Sequence, residues 1–121
     1  MQKVIPAILT SDPADLKKKL GMLKGHTNWV HVDIMDGSFV QGRTANLFEL
    51  GEASKFFNLE IHLMVEDPFK YFEDCAGLGV KRVIFHQEAI RKQEPMLSML
   101  DSHEFQKGIA LNKTTSLELV R

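Results

Sequence analysis

Five short apolar runs, recurring at intervals of roughly 25–30 residues as repeated βα units do, decide what this chain can fold into. They read VIPAIL (4–9), NWVHVDIM (28–35), LEIHLMV (59–65), RVIFH (82–86) and KGIALN (107–112). Each has the length of a strand and is flanked by glycine, proline or polar residues. The stretches between them have the length and amphipathic pattern of helices. PADLKKKLGMLKG follows Asp12, which suits an N-cap, and puts Pro13 in the first turn. LFELGEASKFF (47–57) reads as a helix despite Gly51, and DPFKYFEDCAGLG opens on a second Asp-Pro and closes on glycine. EPMLSMLDSHE is expected to be helical, and TSLELVR to begin one more helix. This alternation implies a parallel sheet with right-handed crossovers.

A doubly wound sheet or part of a (β/α)8 barrel would satisfy that order. Two features favour the barrel. Polar residues line one face of two successive strands, as interior positions near a barrel mouth do. No glycine-rich dinucleotide fingerprint follows the first strand, as a Rossmann fold would require. A complete barrel needs at least about 200 residues, whereas the sequence has 121. The expected fold is therefore α/β, half of a (β/α)8 TIM-type barrel. It comprises about four βα units plus a fifth strand in a parallel sheet, as one domain over residues 1–121.

Composition narrows the function classes. Apolar residues make up 44% and charged residues 26%, with a net charge of −1, as in ordinary globular domains. Charges of both signs are interspersed, so no basic stripe points to nucleic acid. No run of eighteen apolar residues is present to span a membrane. The apolar run of MQKVIPAILTSD is too short for a signal peptide. The single cysteine, Cys75, excludes an internal disulfide and is expected as a small buried hydrophobe on a helix. A cytoplasmic location is the expectation.

The chemistry lies on the second and third strands. Side chains alternate faces along a strand, so His31, Asp33 and Met35 share one face and Val30, Val32 and Ile34 the other. On the third strand His62 and Met64 share a face opposite Ile61, Leu63 and Val65. The apolar faces belong under the helices, and the polar faces point together into the barrel near its C-terminal end. Two imidazoles and a carboxylate converging from adjacent strands suit a divalent metal: zinc, iron, manganese or cobalt. A carboxylate there can act as general base on a carbon acid if the metal polarises an adjacent carbonyl. His86, ending the fourth strand, is a candidate for the same wall. His26 and His103 are expected at the surface, and Glu60 as a structural group at the bottom of its strand.

PAILTSD (6–12), HVDIMDGSFV (31–40), IHLMVEDP (61–68), FHQEA (85–89) and GIALNKTTSLE (108–118) stand in the order and spacing of the ribulose-phosphate 3-epimerases, and the chain resembles that family along its length. The resemblance implies a metal-dependent barrel that interconverts D-ribulose 5-phosphate and D-xylulose 5-phosphate by proton transfer at C3. By the same resemblance, His31, Asp33 and His62 match three of four metal ligands. Asp33 also matches one of two acid/base aspartates, and Met35 and Met64 match methionines beside the enediolate. Thr10 and Ser11, after the first strand, are carried over as substrate contacts.

Departures accompany the likeness. Ala7 stands where the family usually has serine, and DGSFVQG replaces DGHFVPN, so Ser38 takes the place of a histidine. KTTS (113–116) replaces a proline-containing turn. The second aspartate, on the family's seventh strand, and the phosphate-binding loops of strands six to eight have no counterpart in the sequence. One expectation is a homodimer in which two half barrels close one barrel around a sugar phosphate. A non-catalytic metal- or partner-binding chain, or a folding fragment, is the alternative. A related sugar-phosphate isomerase or aldolase would need a motif of its own, which is lacking.

Overall fold

The structure, a computed structural model, describes residues 4–91 and 103–115. Strands β1 (Ala7–Ile8), β2 (Trp29–Met35), β3 (Asn58–Met64), β4 (Arg82–His86) and β5 (Gln106–Ala110) form one sheet in the order β1-β2-β3-β4-β5, and every pairing is parallel. This sequential order separates the two candidate folds. A doubly wound sheet reverses direction at a switch point. Right-handed crossovers that always advance one strand the same way lay every connection on one face, as in a (β/α)8 barrel. The fold is accordingly α/β and consistent with half of such a barrel.

Burial follows the alternation read from the sequence. On β2, Val30, Val32 and Ile34 are buried while His31, Asp33 and Met35 are half-buried. Leu59, Ile61 and Leu63 on β3 and Val83 and Phe85 on β4 continue the buried layer, against which the helices pack. Helix α1 (Pro13–Leu23) begins as expected: the Asp12 carboxylate accepts the Ala14 N–H at 2.9 Å, and Pro13 opens the first turn. Its Leu16 and Leu20, one turn apart, face the core. Helix α2 (Phe69–Gly77) buries Phe69, Phe72 and Cys75. Burial pushes the Cys75 thiol up to about 12, so it stays protonated filler. Here the Asp-Pro start differs from that of α1: Pro68 itself occupies the cap position, without a side-chain cap.

Two segments depart from the sequence reading. Residues 47–57 form not one α-helix but two short 3-10 turns, Leu47–Leu50 and Ala53–Lys55. Within the two turns the buried residues are Leu47, Leu50 and Ala53, a spacing of three that matches the 3-10 repeat and not 3.6, and Phe57, past the second turn, is buried as well. Gly51 lowers the α-helical preference further. The first strand pairs only at Ala7–Ile8. Pro6 has no N–H to give to a ladder, although its carbonyl accepts the His31 N–H at 2.8 Å. A short helix, α3 (Gln87–Arg91), follows β4 directly. Residues 94–102 of the next expected helix and 116–121 of the last lie outside the described residues.

Candidate metal centre

The parallel register sets the site. Asp33 pairs with His62, and His31 with Glu60, so side chains of one face stack in rows across neighbouring strands. Among the described residues, His31, Asp33 and His62 form a group whose ligating atoms all lie within 4.8 Å of one another. Asp33 sits at its centre. Its Oδ1 lies 2.9 Å from His31 Nε2 and 3.0 Å from His62 Nδ1. Two imidazole nitrogens and a carboxylate oxygen at this spacing fit a divalent ion with bonds of about 2.0–2.2 Å, so the residues present suit the metal that the sequence implies.

The surroundings tune these groups. Burial pushes the Asp33 carboxyl up, but hydrogen bonds from His31 and His62 outweigh it and hold the group well below the usual carboxylate range. Asp33 is therefore ionised at neutral pH. His31 is raised, chiefly by its bond to Asp33 against the opposing effect of burial, with Glu60 adding to the rise. Glu60 is itself buried and accepts from His31 Nδ1 at 2.6 Å and from Arg82 Nη1. Burial opposes ionisation of Glu60, and the His31 and Arg82 contacts more than compensate, leaving its pKa lowered.

On the opposite flank His62 Nε2 lies 2.8 Å from His86 Nε2, and His86 Nδ1 lies 3.3 Å from Glu88 Oε1. Burial lowers the His86 pKa, so the neutral ring is favoured. Phe39, from the loop after β2, packs against the His86 ring at 5.0 Å. Asp36 fastens that loop: its Oδ1 accepts the Ser38 and Phe39 N–H groups, and its Oδ2 accepts Glu66 N–H after β3. Gly37, at φ +83°, supplies the left-handed turn this requires.

The other sequence candidates fall as follows. Met35 and Met64 are register partners one step beyond Asp33 and His62 on the same face. Thr10 and Ser11 lie in the loop between β1 and α1, where Thr10 Oγ1 accepts the Asp12 N–H at 3.2 Å. Ala7 is in register with His31, and Ser38 is exposed. His86 joins the wall. His103, expected at the surface, is instead half-buried, edge-on to Phe72 and stacked on Phe105. Nothing in the sequence alone singles out Arg82 or Glu88, and its strand position marks Glu60 only as a structural group. Glu60 stands two residues before His62, and a period of two puts both on one face. The pairing of Glu60 with His31, though, depends on the register between two strands.

Comparison with known proteins gives one consistent result. The sequence model of the Ribulose-phosphate 3 epimerase family matches residues 3–121. A ribulose-phosphate 3-epimerase of Schizosaccharomyces pombe is 33% identical over 98% of this chain and 54% of its own length. That of Bacillus subtilis is 29% identical over 99% of this chain and 57% of its own. A rice protein named as the cytoplasmic isoform is 32% identical over 98% and 54%. The chain thus spans about half the length of the curated relatives it matches.

Proposed function

The chain belongs to the ribulose-phosphate 3-epimerase family, and on that footing we propose that it carries the metal-binding half of an epimerase site and removes a proton from C3 of D-ribulose 5-phosphate. The convergence of His31, Asp33 and His62 carries this reading. These three residues would hold zinc, iron, manganese or cobalt. When bound, a divalent ion supplies Lewis-acid polarisation of a ketone, which acidifies the neighbouring C–H enough for a weakly basic carboxylate to remove its proton. Asp33 is the base: it is ionised, its Oδ1 is engaged by the two imidazoles, and its Oδ2 is assigned to the substrate proton. Met35 and Met64 line the face above it with apolar sulfur that displaces ordered water. Thr10 and Ser11 offer hydroxyl donors at the start of α1.

The test is NMR of D-ribulose 5-phosphate in D2O with added divalent metal. Deuterium is expected at C3. Inversion to the xylulose epimer needs a second acid on the opposite face, so its rate reports whether an assembly supplies one. No deuterium at C3 under any of the four metals would remove the catalytic reading. Binding of metal without exchange would favour a non-catalytic metal-binding chain. One observation already points that way: Ala7 brings no hydroxyl to the position in register with His31.

A second copy of the chain is the partner we propose for the half-open interior face. Leu9, beside β1, is 58% exposed, and at the other edge β5 exposes Ile109 to 39% on the helix-facing side, in register with Phe85. Parallel edge strands with apolar residues favour association. Sedimentation at micromolar concentration should give the mass of a dimer, and a monomer would exclude it. No helix among the described residues is long and apolar enough to cross a membrane. The rice relative's printed name, that of a cytoplasmic isoform, supports a cytoplasmic location.

A further inference from the structure

We propose that Glu60 and His86 are positioning residues that turn opposite nitrogens of the two imidazoles toward the metal, Nε2 of His31 and Nδ1 of His62. The inference rests on the metal reading above and extends it to residues that do not touch the ion.

A neutral imidazole carries one N–H, and it can ligate a metal only through the other nitrogen. What fixes the choice is the group that the N–H faces. For His31 that group is Glu60, 2.6 Å from Nδ1. An ionised carboxylate has no hydrogen to give, so Nδ1 must be the donor and Nε2, on the Asp33 side, is the nitrogen left for the ion. Glu60 cannot swing away. It is buried, and Arg82 holds its other oxygen while Arg82 Nε donates to Gln106 Oε1 at 3.0 Å.

For His62 the same logic runs through one more ring. Its Nε2 faces His86 Nε2 at 2.8 Å, and one of the two nitrogens must carry the hydrogen. His86 Nδ1 faces Glu88 Oε1, which also accepts the Asn112 backbone N–H at 3.1 Å. A carboxylate oxygen only accepts, so the single hydrogen of a neutral His86 sits on Nδ1. Its Nε2 is then bare and accepts from His62 Nε2–H. The rings are within 17° of parallel, and a 2.8 Å N···N distance is too short for stacking, so the lone pair lies in the donor's plane. His62 therefore presents Nδ1 to Asp33 and to the ion.

The experiment measures zinc affinity by competition titration, together with long-range 1H–15N spectra of the histidine rings in the zinc-loaded chain. The wild type should show one histidine bound through Nε2 and one through Nδ1. In Glu60→Gln the Arg82 guanidinium claims the amide oxygen, so the NH2 faces His31 Nδ1 and forces the other tautomer. Affinity should fall about 10–100-fold, the usual cost of losing such a partner. Adding Arg82→Met frees the amide to turn its oxygen to His31 and should recover most of the loss. A purely structural role for the Glu60–Arg82 pair predicts the reverse, with the double variant worse. His86→Leu should cost a similar factor, and His86→Gln, which keeps a carbonyl acceptor, clearly less. Wild-type affinity in Glu60→Gln and His86→Leu overturns the inference, as do wild-type spectra with both rings bound through the same nitrogen. A wild-type chain that takes up no zinc overturns the metal reading, and this inference with it, which is a distinct result.

Discussion

Replacing Phe72 by alanine is expected to cost about 3–5 kcal/mol of folding stability, the range for emptying a buried aromatic site. Phe72 is fully buried on α2, and its ring meets Phe69 at 5.3 Å, Phe105 at 5.5 Å, Phe85 at 5.6 Å and His103 at 5.7 Å. These neighbours come from the same helix, from β4 and from the segment entering β5. A void among four rigid rings held by α2, β4 and the segment entering β5 cannot close without moving strands, so the loss belongs at the upper end of that range. Domains of this kind have about 5–15 kcal/mol in total, so a large fraction of the margin disappears. Chemical denaturation should show the midpoint falling sharply. Phe48→Ala deletes the same atoms from a ring that is 72% exposed, and should shift stability by no more than about 0.5 kcal/mol. Equal effects of the two substitutions would refute this account of the core.

Asp33→Asn should have the largest effect on function. The carboxylate sits between two imidazoles and is the only charged oxygen in the ligand group. An amide keeps the shape but removes the negative charge, and its NH2 can ligate nothing. Its carbonyl, placed where Oδ1 now lies, can still accept from both imidazoles, so the substitution removes the charge and not the hydrogen-bond acceptor. Zinc affinity should fall by more than the roughly 10–100-fold expected for residues one step removed from the ion. Deuterium uptake at C3 of D-ribulose 5-phosphate should vanish even at saturating metal, because the base is gone as well as the ligand. The two losses are separable by titrating metal first. If exchange persists in a metal-saturated Asp33→Asn chain, another group takes the proton.

The strand pattern, and with it the direction of the site, was legible locally. WVHVDIM alternates so regularly that the shared face of His31 and Asp33 follows from a period of two, and burial along β2 reproduces it. The start of α1 was readable for the same reason, since Asp12 and Pro13 act within one turn. Residues 47–57 were misread because apolar spacings of three and four look alike in a short segment. Only packing against the sheet shows that the buried positions within the two turns are Leu47, Leu50 and Ala53.

The sequence by itself determined which residue types face the barrel interior and, through motif order, which family the site resembles. Tertiary structure decided who touches whom. His31 meets Glu60 across 29 positions, and His62 meets His86 across 24. Such contacts depend on strand register, which the packing of the crossovers sets and local propensity does not. That is why the shared face of His31 and Asp33 could be read from seven letters of sequence, while the neighbours of each imidazole emerged only once three strands were laid side by side.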